Sequence, residues 1–302
     1  MKTYHDIVSD GGSGVAEQVG EHASRVEERL AQVTDVVAIM SGKGGVGKST
    51  LTVNLAAALA RLGCAVGVLD ADINGPSIAK MTGVRGHTPV PTDEGMTPAM
   101  AALGIRVMSI DLFLPQDATP VLWNAPTQHS AYTWRSMMEM AAFREMLSDT
   151  QWGALDVLLI DLPPGADKLP NVADIIPTLS GALVITGPSE VSRMVVARSI
   201  TMATDVADVP VLGLVENMGP ITCRRCGHEE ELFPGVGAEG LSRDLGVPYW
   251  GRIPFDPRLA HMADTGDMFV DGYPDTPTAT AICYLARTLH EHLSRVRIGS
   301  LS

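Results

Sequence analysis

Two of the five lysines in this 302-residue chain fall within one glycine-rich run, and that run is the first place where residue types and spacing suggest chemistry. Gly42-Lys43-Gly44-Gly45-Val46-Gly47-Lys48-Ser49, followed by Thr50, fits the pattern G-x-x-x-x-G-K-[ST]. Glycines let the backbone turn tightly enough for successive N–H groups to converge on phosphate oxygens, and a following helix adds its positive end. The run is expected to hold a nucleotide, with Lys48 neutralising the β- and γ-phosphates and the Ser49 hydroxyl ligating Mg²⁺. Lys43 is an addition to that pattern. A second cation is not needed to hold phosphate within one chain, so its expected target lies across a subunit interface.

Carboxylates are expected near the same phosphates. Val68-Leu69-Asp70-Ala71-Asp72 ends an apolar run with acids at i and i+2, which on a strand would point the same way into the crevice at the sheet's edge. Leu158-Leu159-Ile160-Asp161 ends another. Hydrolysis of a phosphoanhydride needs one carboxylate to support Mg²⁺ and another to orient water. Helix capping or turn formation is the plainer alternative for each acid taken alone.

The third constellation is Cys223-Arg224-Arg225-Cys226-Gly227-His228, flanked by Gly219-Pro220 and Pro234-Gly235. Two thiols at this spacing can share a metal, and the neighbouring arginines favour thiolate. Zinc or an iron–sulfur cluster generally takes four protein ligands, and the chain has no second pair. A two-fold dimer would supply it, giving four thiolates for one [4Fe–4S] cluster. A redox pair or incidental thiols stay open as alternatives, and His228 reads more simply as a turn residue than as a ligand. Cys64 and Cys283 sit in apolar contexts that suit a core.

These residues need elements to position them. Apolar runs at Val36–Met40, Ala65–Leu69, Ile105–Ile110, Val157–Ile160, Ala182–Thr186, Val211–Val215 and Val247–Ile253 alternate with helical patterns, notably 51–62, 132–147, 191–206 and 238–245. That alternation predicts an α/β fold with a mostly parallel central sheet and helices on both faces. A final helix over 277–297 places Ile282, Leu285, Ala286, Leu289, Leu293 and Val296 on one side, facing the sheet. Residues 85–102 read as a surface insertion, and residues 1–34 as a mobile or peripheral arm before a single nucleotide-binding domain over 35–302. With 45% hydrophobic and 19% charged residues the chain is globular, and a formal charge of −13 argues against nucleic acid. The N-terminus lacks a secretory pattern and no run reaches a membrane span, so the expected location is the cytoplasm, away from membranes.

The glycine run with its extra lysine resembles the deviant Walker A group of P-loop ATPases. Taken with Leu69-Asp70-Ala71-Asp72-Ile73-Asn74-Gly75-Pro76-Ser77, Ile160-Asp161-Leu162-Pro163-Pro164-Gly165, Val215-Glu216-Asn217-Met218, the cysteine pair and Ile253-Pro254-Phe255-Asp256, it resembles the Mrp/ApbC iron–sulfur cluster carrier family over residues 34–296. The resemblance implies that Lys43 reaches a partner's nucleotide, that Asp72 positions water and that Asp161 supports Mg²⁺. It also implies that Asn217 contacts adenine beside a base pocket containing Pro254 and Asp256, hence ATP. The implied protein is a homodimer that bridges a [4Fe–4S] cluster and passes it to apo iron–sulfur proteins. A positioning ATPase of the partition or division-site kind and an ATP-driven electron donor are the competing readings. Two departures stand out: Ala166-Asp167-Lys168 replaces the family's Thr-Gly-Asp, implying slow or differently triggered hydrolysis, and Leu122-Trp123-Asn124-Ala125-Pro126 replaces Trp-Arg-Gly-Pro.

Overall fold

The computed structural model describes residues 24–115, 131–223, 225–233 and 237–300. The apolar runs become strands because aliphatic side chains fill both faces of a sheet that helices cover. In chain order the strands are β1 (Val33–Ser41), β2 (Val66–Asp70), β3 (Val90–Thr92), β4 (Gly95–Thr97), β5 (Ala99–Met100) and β6 (Arg106–Met108). They continue with β7 (Leu155–Asp161), β8 (Leu179–Thr186), β9 (Val211–Gly219), β10 (Ile221–Thr222), β11 (Glu229–Glu230) and β12 (Tyr249–Pro254). The main sheet runs β12-β9-β8-β1-β7-β2-β6-β5. It is parallel except for β5, which pairs antiparallel with β6.

Strand order and register decide what meets what. β7 lies between β1 and β2, with Asp161 level with Ile39 on one side and Asp70 on the other. The glycine run leaving β1 therefore emerges beside both carboxylates, at the strand ends where open α/β sheets hold ligands. The helix Lys48–Arg61 and the C-terminal helix Pro277–Ser300 pack against each other, and the latter also covers β12. Ile282, Leu285, Ala286, Leu289 and Leu293 are buried as expected, whereas Val296 is exposed, since the last turns are less deeply packed.

Two boundaries differ from the sequence expectation. The insertion is partly ordered: β3 and β4 form a small hairpin, and β5 extends the sheet edge. Its strands are too short to show a period. Within the expected arm, residues 24–30 form a helix whose Val26 and Leu30 are buried in the core, and β1 starts at Val33. Arg29 fastens this helix by donating from Nε to the Ser148 carbonyl at 3.0 Å. Residues 24–34 thus belong to the fold, because two side chains one helical turn apart find an apolar face to cover. Residues 1–23 and the Leu122–Pro126 departure lie outside the described residues. Among the described residues no helix is long and apolar enough to cross a membrane.

Leu30→Ala is expected to lower stability by about 2–3 kcal/mol, the usual cost of emptying a buried leucine site. Urea unfolding measures it, and a loss within about 0.5 kcal/mol, as at a surface position, would show that the segment does not share the core.

Candidate functional site

The phosphate loop is built by glycines with distinct tasks. Gly45 and Gly47 have φ of +78° and +80°, which side chains rarely adopt. Gly42 is needed for closeness, because a Cβ there would stand 2.9 Å from the backbone nitrogen of Val196 in the helix Glu190–Thr201. The loop then enters the helix at Lys48, whose positive dipole end lies at the loop.

Asp161 gathers the residues around it. Its Oδ2 accepts from Lys48 Nζ at 2.6 Å and from Ser49 Oγ at 2.6 Å, and its Oδ1 accepts from Thr52 Oγ1 at 2.6 Å. Lys48 Nζ also lies 3.2 Å from Ser49 Oγ. Asp161 is completely buried and Lys48 nearly so, so each charge is desolvated and offset by the other. Ser49 and Asp161 offer hard oxygen donors that suit Mg²⁺, and Lys48 offers the point charge a phosphate takes. Thr52 escaped the sequence reading, although its place one helical turn beyond Lys48 puts its hydroxyl on the same face.

The two acids expected to act side by side divide instead. β2 ends at Asp70, so the chain has already turned at Asp72. Asp70 is buried, and its Oδ2 accepts from Ser77 N at 2.9 Å, Ile78 N at 3.1 Å and Ser109 Oγ at 3.1 Å. It anchors the turn that carries Asp72. Burial, and then repulsion from Asp161, push its carboxyl up to about 7 against the backbone donors and Lys48. Asp72 is half-buried, accepts from Gly75 N at 3.2 Å, and has its carboxyl raised chiefly by burial. It borders a small pocket of about 30 Å³ together with Glu139 and Lys168. Lys168 Nζ donates to Glu139 Oε2 at 2.9 Å, and Asn74 Nδ2 donates to Glu139 Oε1 at 2.7 Å. The residues that depart from the Thr-Gly-Asp pattern therefore place a lysine in a pair that reaches the Asp72 turn. Glu139 carried no sequence signal, since it is one acid on a long helix.

On the other side of the loop, Asn217 Nδ2 donates to the Val46 carbonyl at 2.8 Å. Asn217, Gly47, Thr50, Pro254 and Asp256 line one pocket of about 110 Å³. The sequence motifs assigned to a base thus converge there. The Asp256 carboxylate also accepts from Arg258 N at 3.0 Å and Arg258 Nη2 at 2.5 Å, while Arg258 stacks 4.3 Å from the Tyr273 ring. Asp256 shapes its turn as well as lining the pocket. Lys43 Nζ lies 3.5 Å from Ser189 Oγ, at the start of the helix that Gly42 touches.

The cysteines sit on a hairpin. β10 pairs with β11, Cys223 N donates to the His228 carbonyl at 2.8 Å, and Gly227 N donates back to the Cys223 carbonyl at 2.8 Å. Both thiols are exposed. Cys223 is held below the usual thiol range by the backbone N–H groups of Arg225 and Cys226 and by the Cys226 thiol. Among the described residues no group of three or more His, Cys, Asp or Glu side chains is arranged to hold a metal, so His228 does not complete the pair. Cys64 and Cys283 are partly buried against the core, with Cys64 Sγ 3.6 Å from His290 Nδ1.

A parallel sheet, a glycine loop on a helix and a buried lysine–aspartate pair define a P-loop nucleotide-binding fold. Residues 32–290 match the ParA-type family described as NUBPL iron-transfer P-loop NTPases, and the chain belongs to that family. It is 41% identical to the iron-sulfur cluster carrier protein of Methanocaldococcus jannaschii, over 82% of each chain. It is 37% identical to that of Saccharolobus solfataricus, over 90% of this chain and 88% of the relative. Among solved structures it resembles a nucleotide-binding protein from Archaeoglobus fulgidus in complex with ADP, with 36% identity, a TM-score of 0.68, and coverage of 81% of this chain and 91% of that one. The MinD cell division protein of Aquifex aeolicus shares the fold at 23% identity and a TM-score of 0.58, over 84% of this chain and 96% of that one.

Because the Asp70 pKa is raised by folding, its contribution to stability is complete below the unfolded value of about 4 and is lost as pH rises through about 7. Carbon-detected NMR of the side-chain carboxyl, assigned with Asp70→Asn, is expected to show a midpoint near 7. A midpoint near 4, the ordinary aspartate value, would show that the backbone donors outweigh burial.

Proposed function

We propose that this chain is a homodimeric ATPase that carries an iron–sulfur cluster as cargo between its subunits and delivers it to apo-proteins. The observation that carries this reading is a pair of exposed thiols on one hairpin, two ligands where a cluster takes four, with Cys223 biased toward thiolate. A second copy facing the first completes the set. The relatives named iron-sulfur cluster carrier proteins support the cargo, and the ADP-bound neighbour supports the nucleotide.

In this reading the loop from Gly42 to Thr50 binds the phosphates, Lys48 neutralises them, and Ser49 with Asp161 holds Mg²⁺, which would screen charge on the phosphate oxygens. Asp72 orients the attacking water. Asn217 with the Pro254–Asp256 turn receives adenine. Lys43 serves the partner's nucleotide, supported by its place beside Ser189 and by the exposed Val191 and Met194 on the adjoining helix, an apolar face suited to a second copy.

Anaerobic reconstitution with iron and sulfide is expected to give about two irons per chain in a dimer, a four-iron cluster shared by two chains. The Cys223→Ser, Cys226→Ser double variant should lose them. Iron content indifferent to that change would sink the cargo reading and favour a nucleotide-switched positioning protein, and iron kept through turnover with an apo-acceptor would favour an electron donor.

Asp72→Asn is expected to lower ATP turnover by about a hundredfold or more while ADP still binds, as for loss of a group that handles the reacting water. Unchanged turnover in a phosphate-release assay would remove Asp72 from the chemistry.

A further inference from the structure

A further buried carboxylate lies between the nucleotide pocket and the cysteine hairpin. Glu216 immediately precedes Asn217 on β9 and is completely buried. Its Oε1 accepts from Arg252 Nε at 2.5 Å, and its Oε2 accepts from Ala238 N at 2.5 Å, at the start of the helix Ala238–Leu245. Arg252 reaches further and donates from Nη1 to Glu231 Oε1 at 2.6 Å. Glu231 directly follows β11, the strand that closes the cysteine hairpin.

The arginine stem occupies the entrance to the same hairpin. A Cβ at Gly219, where β9 ends before β10, would lie 2.6 Å from Arg252 Cγ and Cδ. A Cβ at Gly237 would lie 3.1 Å from Glu216 Oε2. Both ends of the excursion from 219 to 238 are therefore packed on one buried ion pair. The Pro254–Arg258 turn makes a second bridge: Phe255 N donates to the Pro220 carbonyl at 3.1 Å. That turn lines the base pocket on one side and, on the other, a cleft of about 450 Å³ bordered by Cys223.

We infer that Arg252 is a positioning residue that fastens the cysteine hairpin to the strand bearing Asn217, so that nucleotide in the base pocket resets the exposure of Cys223 and Cys226 within a single chain. The inference rests on the assignment of nucleotide to the Asn217 pocket. It adds an intrachain route from nucleotide to cargo that does not pass through the phosphate-side loops or the dimer. A buried pair with two discrete attachments is suited to such coupling, because a shift of β9 cannot leave Glu216 unpaired without a large desolvation cost.

The test measures iodoacetamide alkylation of Cys223 and Cys226 in the metal-free full-length chain, by peptide mass spectrometry, with and without saturating ADP. In the parent protein ADP is expected to change the rate by about fivefold or more, the low end of ordinary coupling between sites. Glu231→Ala cuts the outer arm at a half-exposed position without uncovering Glu216, and it should bring the ADP effect below about twofold while ADP still binds. Glu230→Ala, which removes the neighbouring exposed acid, should leave the effect intact. Arg252→Lys, which keeps one charge and loses the fork, should retain a reduced effect. An ADP effect that survives Glu231→Ala, or its absence in the parent protein, overturns the inference. Iron content is scored separately on cluster-reconstituted samples, so a failed cargo assignment and a failed coupling are told apart.

Discussion

The carboxylate of Asp161 is the point on which the site depends. It has no exposed surface, yet it is paired with Lys48 and accepts from Ser49 and Thr52, three donors on the first turns of one helix. An unpaired charge at that depth would be severely penalised, so the helix is held against the end of β7 and the glycine loop has a fixed span to cross. The same charge raises its neighbour Asp70. One buried anion thus ties Lys48, Ser49 and Thr52 to the strand register, while Asp70 beside it anchors the turn bearing Asp72 through its own backbone and Ser109 donors.

Glu216 plays a comparable part beside the pocket lined by Asn217. It too lies on a parallel strand, three residues before the end of β9, is buried, and is satisfied by one cation and one helix N-terminus. Asp161 and Glu216 flank the loop: one lies beside Lys48 and Ser49, the other behind Asn217 and the turn that lines its pocket. Because Arg252 joins Glu216, the neighbour of Asn217, to Glu231 beside the cysteine hairpin, and the turn that lines the Asn217 pocket also bonds to Pro220, the two candidate sites are connected through short polar contacts.

The Asp72 side of the loop is held differently. Lys168, Glu139 and Asn74 join the segment after β7, the long helix Ala131–Asp149 and the turn after β2. Lys168 and Glu139 are mostly shielded, so their pair is stronger than a solvent-exposed bridge. This arrangement accounts for a lysine where the family pattern has Thr-Gly-Asp, and it gives the Asp72 turn its own mechanical link.

Much of the fold was legible because buried parallel strands require continuous apolar runs, and the glycine loop was legible because its backbone conformations exclude most side chains. The family motifs also brought Asn217, Pro254 and Asp256 to one pocket. Other features were hidden. The strands of the insertion were too short for a period, Val26 and Leu30 became core only because a surface awaited them, and Asp70 and Asp72 parted because β2 stops at Asp70, two residues short of Asp72. By itself the sequence determined the sheet, the loop and the identity of the thiols, since these follow from local pattern and residue chemistry. Only the tertiary structure decided that Glu139 meets Lys168 and that Arg252 joins Glu216 to Glu231, because such pairs are made by strand order and packing between residues far apart in the chain.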